Sequence, residues 1–177
     1  MPSARAARRF LLALLAVALS ASAAPVGASS LSRGTAAFHR ANYILAFQEL
    51  APLAERQNAT ALGLLGFMYE HGFGAPQAYD AAADLYCRAA IQGNPFAQAM
   101  LGLLYDKGHG VPQDFVLAYK WLNLAAARTI GRERDTYARF RNAVASKMST
   151  DEIMIGQRLA LNWAPAFPVP GVSPFAR

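Results

Sequence analysis

From Asn58 to Tyr69 apolar and small residues return with a helical period. Ala61, Leu65, Gly66 and Tyr69 stand at i, i+4, i+5 and i+8, one stripe of a helix with about 3.6 residues per turn. Ala82, Tyr86, Ala89 and Ala90 form a second stripe at i, i+4, i+7 and i+8. Small residues in both stripes predict two helices whose axes approach near the short end of the usual ~8–10 Å range. Between them lies HGFGAPQ, residues 71–77. Gly72 stands where a left-handed residue should end the first helix, and Pro76 forbids its continuation. A phosphate-cradling loop needs its glycines after a strand and opening a helix. Here they close a helix, and no strand alternation precedes them, so the stretch predicts a helix–turn–helix corner.

The pattern returns 36 residues later without a gap, with twelve identities over the 35 positions from Asn58 to Gln92. Leu65 matches Leu101, Gly66 matches Gly102, Tyr69 matches Tyr105, and Gly72 and Gly74 match Gly108 and Gly110. Ala82 and Ala90 match Ala118 and Ala126. Asp114 occupies an N-cap position, which Ala78 fills in the earlier copy without a capping side chain. Stepping back by the same period recovers only half a unit: Tyr43, Ala46, Leu50 and Ala54 align with Tyr79, Ala82, Tyr86 and Ala90. The expected organisation is a half repeat at 34–57 and full repeats at 58–93 and 94–128.

Beyond Arg128 the period fails. Arg132 to Lys147 reads as a longer helix. Ser149-Thr150-Asp151-Glu152 then offers a capping box, with Ser149 as N-cap and Glu152 three residues on. Ile153, Ile155, Leu159, Leu161 and Trp163 should make that last helix apolar enough to cover the open end of a stack, so 129–163 is expected to be a capping helix pair. From Ala164, four prolines in the tail predict an extended or mobile segment. The fold class expected from periodicity is all-α, a solenoid of antiparallel helix pairs.

The unit from Ala97 through Leu101, Gly102, Tyr105, Gly108, Gly110 and Asp114 to Ala118, Trp121 and Ala126 closely resembles the Sel-one-like repeat, a relative of the tetratricopeptide repeat. The first full copy departs from it at Ala75, Ala78 and Leu85, positions of packing and capping. Lys147 to Trp163 also resembles the tail that follows such repeats in exported bacterial proteins. The resemblance implies a right-handed solenoid used as a scaffold for protein–protein contacts. Family members stapled by disulfides and linked to cell-wall or antibiotic binding are a poor match, since Cys87 is the single cysteine.

The first residues change the charge picture. Arg5, Arg8 and Arg9 precede the unbroken apolar run Phe10–Leu19, and Ala21-Ser22-Ala23 offers a small-residue exit. These three features describe a secretory signal peptide at 1–23, with cleavage after Ala28 as the alternative. An uncleaved anchor is the competing reading, but the run is shorter than the ~20 residues a membrane span takes. Without the leader the formal charge falls from +6 to +3, and the compositional case for nucleic-acid binding falls with it. The predicted location is periplasmic or secreted.

Candidate chemistry is sparse. His39, His71 and His109 lack metal-ligand spacing and read as surface or loop residues, and no nucleophile has an evident base and orienter. Glu70 and Asp106 match by repeat position rather than forming a dyad. Asn58-Ala59-Thr60 matches a glycosylation sequon. Cys87 reads as a small buried side chain on a helix, with intermolecular pairing as the alternative. No catalytic residue, metal or cofactor is assigned, and the chain is read as a non-enzyme. First-half helices should line any peptide groove, through Leu64, Phe67 and His71, then Met100, Leu103 and Lys107; the same apolar residues could instead pack between repeats. The expected partner is a protein or peptide. Two other readings stand: a cell-wall ligand binder or envelope enzyme, and docking on anionic surfaces through Arg128, Arg132, Arg134, Arg139 and Arg141. On a helix the last four split between two nearly opposite faces.

Overall fold

The computed structural model describes residues 26–165. The leader, its cleavage site after Ala23 and most of the Pro-rich tail lie outside the described residues. Eight helices follow one another: α1 (Val26–His39), α2 (Tyr43–Glu55), α3 (Ala59–His71), α4 (Tyr79–Ile91), α5 (Pro95–Lys107), α6 (Phe115–Ala127), α7 (Gly131–Ala145) and α8 (Thr150–Leu161). Each helix from α1 to α6 packs on the next in sequence, and α1, α3, α5 and α7 also touch in succession. The described chain is an all-helical α-solenoid whose first-of-pair helices form one layer.

Caps and corners repeat with the sequence. Asn58 and Asn94 cap α3 and α5, accepting from the N–H of Ala61 at 3.0 Å and of Ala97 at 2.9 Å. Capping accounts for the residue that makes Asn58-Ala59-Thr60 look like a sequon. Asp114 caps α6 by accepting from the Leu117 N–H at 2.9 Å, whereas Ala78 leaves α4 without a side-chain cap. Gly72 and Gly108 end α3 and α5 at φ +71°, the left-handed geometry that relieves the last carbonyls. The repeated glutamine closes the corner: Gln77 and Gln113 Nε2 donate to the carbonyls of Glu70 and Asp106 at 2.7 and 2.8 Å.

The second glycine of each corner answers to a different constraint. A Cβ on Gly110 would collide with the Tyr79 carbonyl and reach the Asp80 nitrogen at 2.7 Å, at the start of the preceding unit's α4. On Gly74 it would meet the Tyr43 carbonyl oxygen at 2.9 Å, at the start of α2. The corner of one repeat therefore lies flat on the helix start of the one before.

The first unit is more than half a repeat. Gly66 lies flush against Tyr86 and Gly102 against Leu122, where a Cβ would come within 2.8 Å. Gly34 makes the same 2.8 Å approach to Leu50, so α1 is the missing first helix. Its corner to α2 is three residues, Arg40–Asn42, against seven from Gly72 to Ala78. That four-residue deletion displaces α1 from the 36-residue register and hides it from an ungapped comparison.

The closing helices also differ in detail from expectation. The capping box forms: Glu152 accepts from the Ser149 N–H at 2.8 Å, and Ser149 Oγ accepts from the Glu152 N–H at 3.3 Å. Both α7 and α8 pack on α6. However, α8 turns Gly156 and Ala160 inward, and a Cβ on Gly156 would lie 2.9 Å from Tyr119. Ile153 and Trp163 are half-buried, while Ile155, Leu159 and Leu161 are exposed at 45%, 41% and 84%. Small residues at i and i+4 allow the close approach, and the larger apolar residues of the helix consequently face outward.

Candidate binding surface

The first-helix layer was expected to carry the partner strip. Leu64, Phe67 and Met100 are half-buried and pack against the core. Leu103 is also half-buried, and His71 and Lys107 are exposed. The strip thus divides into packing residues and free tips at the ends of α3 and α5. His71 lies parallel to Phe67, with ring centroids 4.1 Å apart, and 5.5 Å from Phe73; its Nδ1 is 3.0 Å from the Phe67 carbonyl oxygen.

Aromatic residues absent from the expected strip extend this surface. Phe38 of α1 and Phe96 of α5 flank Phe67 at 5.6 and 6.1 Å. Along the corners, Tyr43 stacks on Phe73 at 4.5 Å and Tyr79 meets His109 at 4.6 Å, one repeat apart. Phe115 holds the third place, and Lys147 Nζ covers its ring at 5.4 Å. The alignment of Tyr43, Tyr79 and Phe115, with Phe73 and His109 each 30 residues beyond the first two, was the signal for this row.

The two repeat-matched acids are consumed within the fold. Glu70 accepts from the Tyr86 hydroxyl at 2.8 Å. Burial, and then the Glu70 carboxylate, push the Tyr86 hydroxyl far above the usual tyrosine range. Leu122 replaces Tyr86 one repeat on, and Asp106 instead pairs with Lys147 at 2.7 Å. Among the described residues no three His, Cys, Asp or Glu side chains are grouped so as to hold a metal. His39, His71 and His109 stand at the ends of α1 and α3 and in the corner after α5.

Two basic features resolve into packing. Arg88 on α4 donates to Gln57 at 3.3 Å and to the Ala54 carbonyl at 3.3 Å, while pairing with Asp84 at 3.2 Å; it ties α4 to the end of α2. In the Arg128–Arg141 region, Arg128 lies 4.6 Å over Trp163 and Arg141 donates to Asn123 at 3.0 Å, whereas Arg132, Arg134 and Arg139 are exposed. Cys87 is exposed rather than buried. It lies on the flank of α4 toward Tyr105 and Lys120 of the next repeat, one residue past the buried Tyr86 of the packing stripe. Partial burial of the thiol, then Asp84, push its pKa above the ordinary value, with Lys120 acting in the opposite direction. A shallow open depression follows the free side of α1, lined by Leu31, Ser32, Thr35, Ala36 and His39.

Residues 59–94 and 95–129 each match the Sel1 repeat family. The fold is similar to the crystal structure of a protective antigen of uropathogenic Escherichia coli that displays an SLR fold, at TM-score 0.71 and 23% identity over 77% of this chain. It is also similar to a Sel1 repeat protein from Oxalobacter formigenes, at TM-score 0.58 and 26% identity over 74% of this chain. The chain spans 29% of the length of the first and 54% of the second. No curated protein matches it in sequence.

Proposed function

We propose that this chain, a Sel1-like repeat protein by its two matched repeats and its solenoid, is an exported, non-catalytic scaffold that holds a protein partner on its first-helix layer. Sel1 repeat proteins are generally protein-interaction scaffolds. The observation that carries the reading here is the division of labour on that layer. Glu70 and Asp106 are occupied internally, while exposed His71 stands against the rings of Phe67 and Phe73 and exposed Lys107 holds the equivalent place one repeat on, neither joining an ion pair among the described residues. Rigid aromatic rings with a free polar or cationic tip bind at small entropic cost. Export is supported by the sequence Arg5 to Ala23 and places the work in the periplasm or outside the cell.

A photo-crosslinking residue at Leu103 or Lys107, introduced into the full chain in its own cell, should capture one defined protein, and the same residue at Gln48 should not. Equal capture from Gln48, on the second helix of its pair, would overturn the assignment of the binding face. Export is tested separately: N-terminal sequencing of the envelope fraction should find a chain beginning at Ala24, and a cytoplasmic chain beginning at Met1 would refute it.

A further inference from the structure

Large apolar side chains exposed on the described surface are unevenly spread: Ile44 and Leu45 lie in α2, and the other five lie between Ile130 and Leu161. Ile130 is 89% exposed at the start of α7 and Leu161 is 84% exposed at the end of α8. The end of α8 is held beside the end of α6, because Trp163 packs edge-on to Trp121 at 6.2 Å and lies under Arg128 at 4.6 Å. Ile130 follows Arg128 by two residues, so Ile130, Leu161 and Trp163 share one rim of the solenoid. Arg132 and Arg158 are exposed at this rim, and neither they nor Arg128 joins any of the ion pairs formed among the described residues. Glu133 and Asp135 are the neighbouring acids on α7.

The chain breaks local rules here. Ile130 stands at the N-cap of α7 and makes no capping bond. Arg132 sits in the first turn, where the helix dipole disfavours a cation. Leu161 and Ile130 protrude into water with no groove to fill.

We propose that this rim seats on an anionic lipid bilayer, with Ile130, Leu161 and Trp163 in the headgroup region and Arg128, Arg132 and Arg158 on lipid phosphates. Protruding apolar tips need no complementary pocket in a fluid interface, and a tryptophan with one polar edge suits that depth. Each arginine near an anionic leaflet adds attraction that salt screens. A second copy of the chain fits less well, since a twofold contact through this rim would set arginines against arginines. The full chain also carries the apolar run Phe10–Leu19, which would itself favour lipid.

Trp163 provides a readout independent of that segment, because Trp121 and Trp163 are the chain's two tryptophans and Trp121 is only 6% exposed. The full chain is mixed with vesicles of phosphatidylcholine and phosphatidylglycerol carrying brominated acyl chains, and Trp163→Phe supplies the Trp121 baseline. The emission assigned to Trp163 should be largely quenched. Quenching should be lost with Leu161→Asp, with Arg132→Gln/Arg158→Gln, at high salt, and on phosphatidylcholine alone. Both substitutions alter exposed tips, and unchanged thermal melts would confirm the fold. Unquenched Trp163 in a chain that still co-sediments with the vesicles would overturn the proposal. So would quenching indifferent to lipid charge, or a dimer in ultracentrifugation that Leu161→Asp dissolves.

Discussion

Replacing Gly110 with alanine should damage this fold far more than the same change at Gly108, two residues earlier in the same corner. Both glycines have left-handed backbone, φ +71° at Gly108 and +68° at Gly110. An alanine in that region costs about 1–2 kcal/mol at either place. The surroundings then separate them. A Cβ on Gly108 meets the Gln113 Cβ at 3.3 Å, and that residue can shift slightly. A Cβ on Gly110 runs into the carbonyl of Tyr79 and lies 2.7 Å from the Asp80 nitrogen. Those atoms belong to the first turn of a helix, and they move only if two repeats separate. Displacing packed backbone adds an overpacking term of about 1–3 kcal/mol, so Gly110→Ala should lose roughly 3 kcal/mol or more. For a domain with typical stability of about 5–15 kcal/mol that is a large share. Urea denaturation followed by circular dichroism at helical wavelengths measures both variants against the parent. If Gly110→Ala lost no more than Gly108→Ala, the claim that corners stack flat on the preceding helix would fail.

Other consequences can be measured with the same unfolding assay. Deleting Ser149 to Arg177 removes Gly156, Ala160 and Trp163 from α6 and exposes Tyr119 and Trp121, so the melt should fall by about 10 °C or more; an unshifted melt would deny α8 a stabilising role. Hydrogen bonds from the Ser149 backbone and hydroxyl hold the Glu152 carboxyl below its ordinary pKa. Its contribution is therefore present above the unfolded carboxylate range and lost as pH falls through the lower folded value. Glu152→Gln should flatten that part of the acid limb, and an identical pH profile would refute the linkage. Gln98 is fully buried with its Oε1 unpartnered, and Leu62 holds the equivalent place one repeat earlier. The Ala90 carbonyl that Gln98 serves at 3.1 Å also accepts from the Gly93 N–H at 2.9 Å. Gln98→Leu should stabilise by about 1 kcal/mol, and a destabilised variant would mean the amide has a partner in solution.

Much of this fold is legible because one physical pattern was written twice. Gly72 and Gly108 end helices where the period breaks, and Asn58, Asn94 and Asp114 cap where a side-chain oxygen is wanted. What escaped did so for identifiable reasons. The helix α1 was missed because a shortened corner moved Gly34 out of register with Gly66. Ile155 and Leu159 face outward against their apolarity, because Gly156 and Ala160 permit the closer contact with α6. Cys87 is exposed although it stands beside a packing stripe, because one helical step of about 100° carries it off that stripe. The rim at Ile130 and Leu161 is invisible in sequence, since it depends on Trp163 folding back to Arg128 across 35 residues.

The repeat comparison within the chain also separates architecture from recognition. The identical residues serve caps, corners or buried contacts: Ala61 and Ala97, Leu65 and Leu101, and Ala90 and Ala126 are all buried, while Gln77 and Gln113 close the corners. Packing demands the same shape in each unit and therefore fixes these places. Phe67 against Leu103, His71 against Lys107 and Phe73 against His109 differ between copies: Phe67 packs partly against the core, Phe73 and His109 lie against Tyr43 and Tyr79, and His71 and Lys107 are exposed. They nevertheless occupy corresponding places on successive units of one layer. A lysine is well solvated at such a position, but aromatic rings grouped beside it leave apolar area that a second molecule can cover. The differences between copies, more than the repeats themselves, are therefore where the choice of partner should reside, and exchanging His71 with Lys107 should alter which protein is captured while leaving the melt in place.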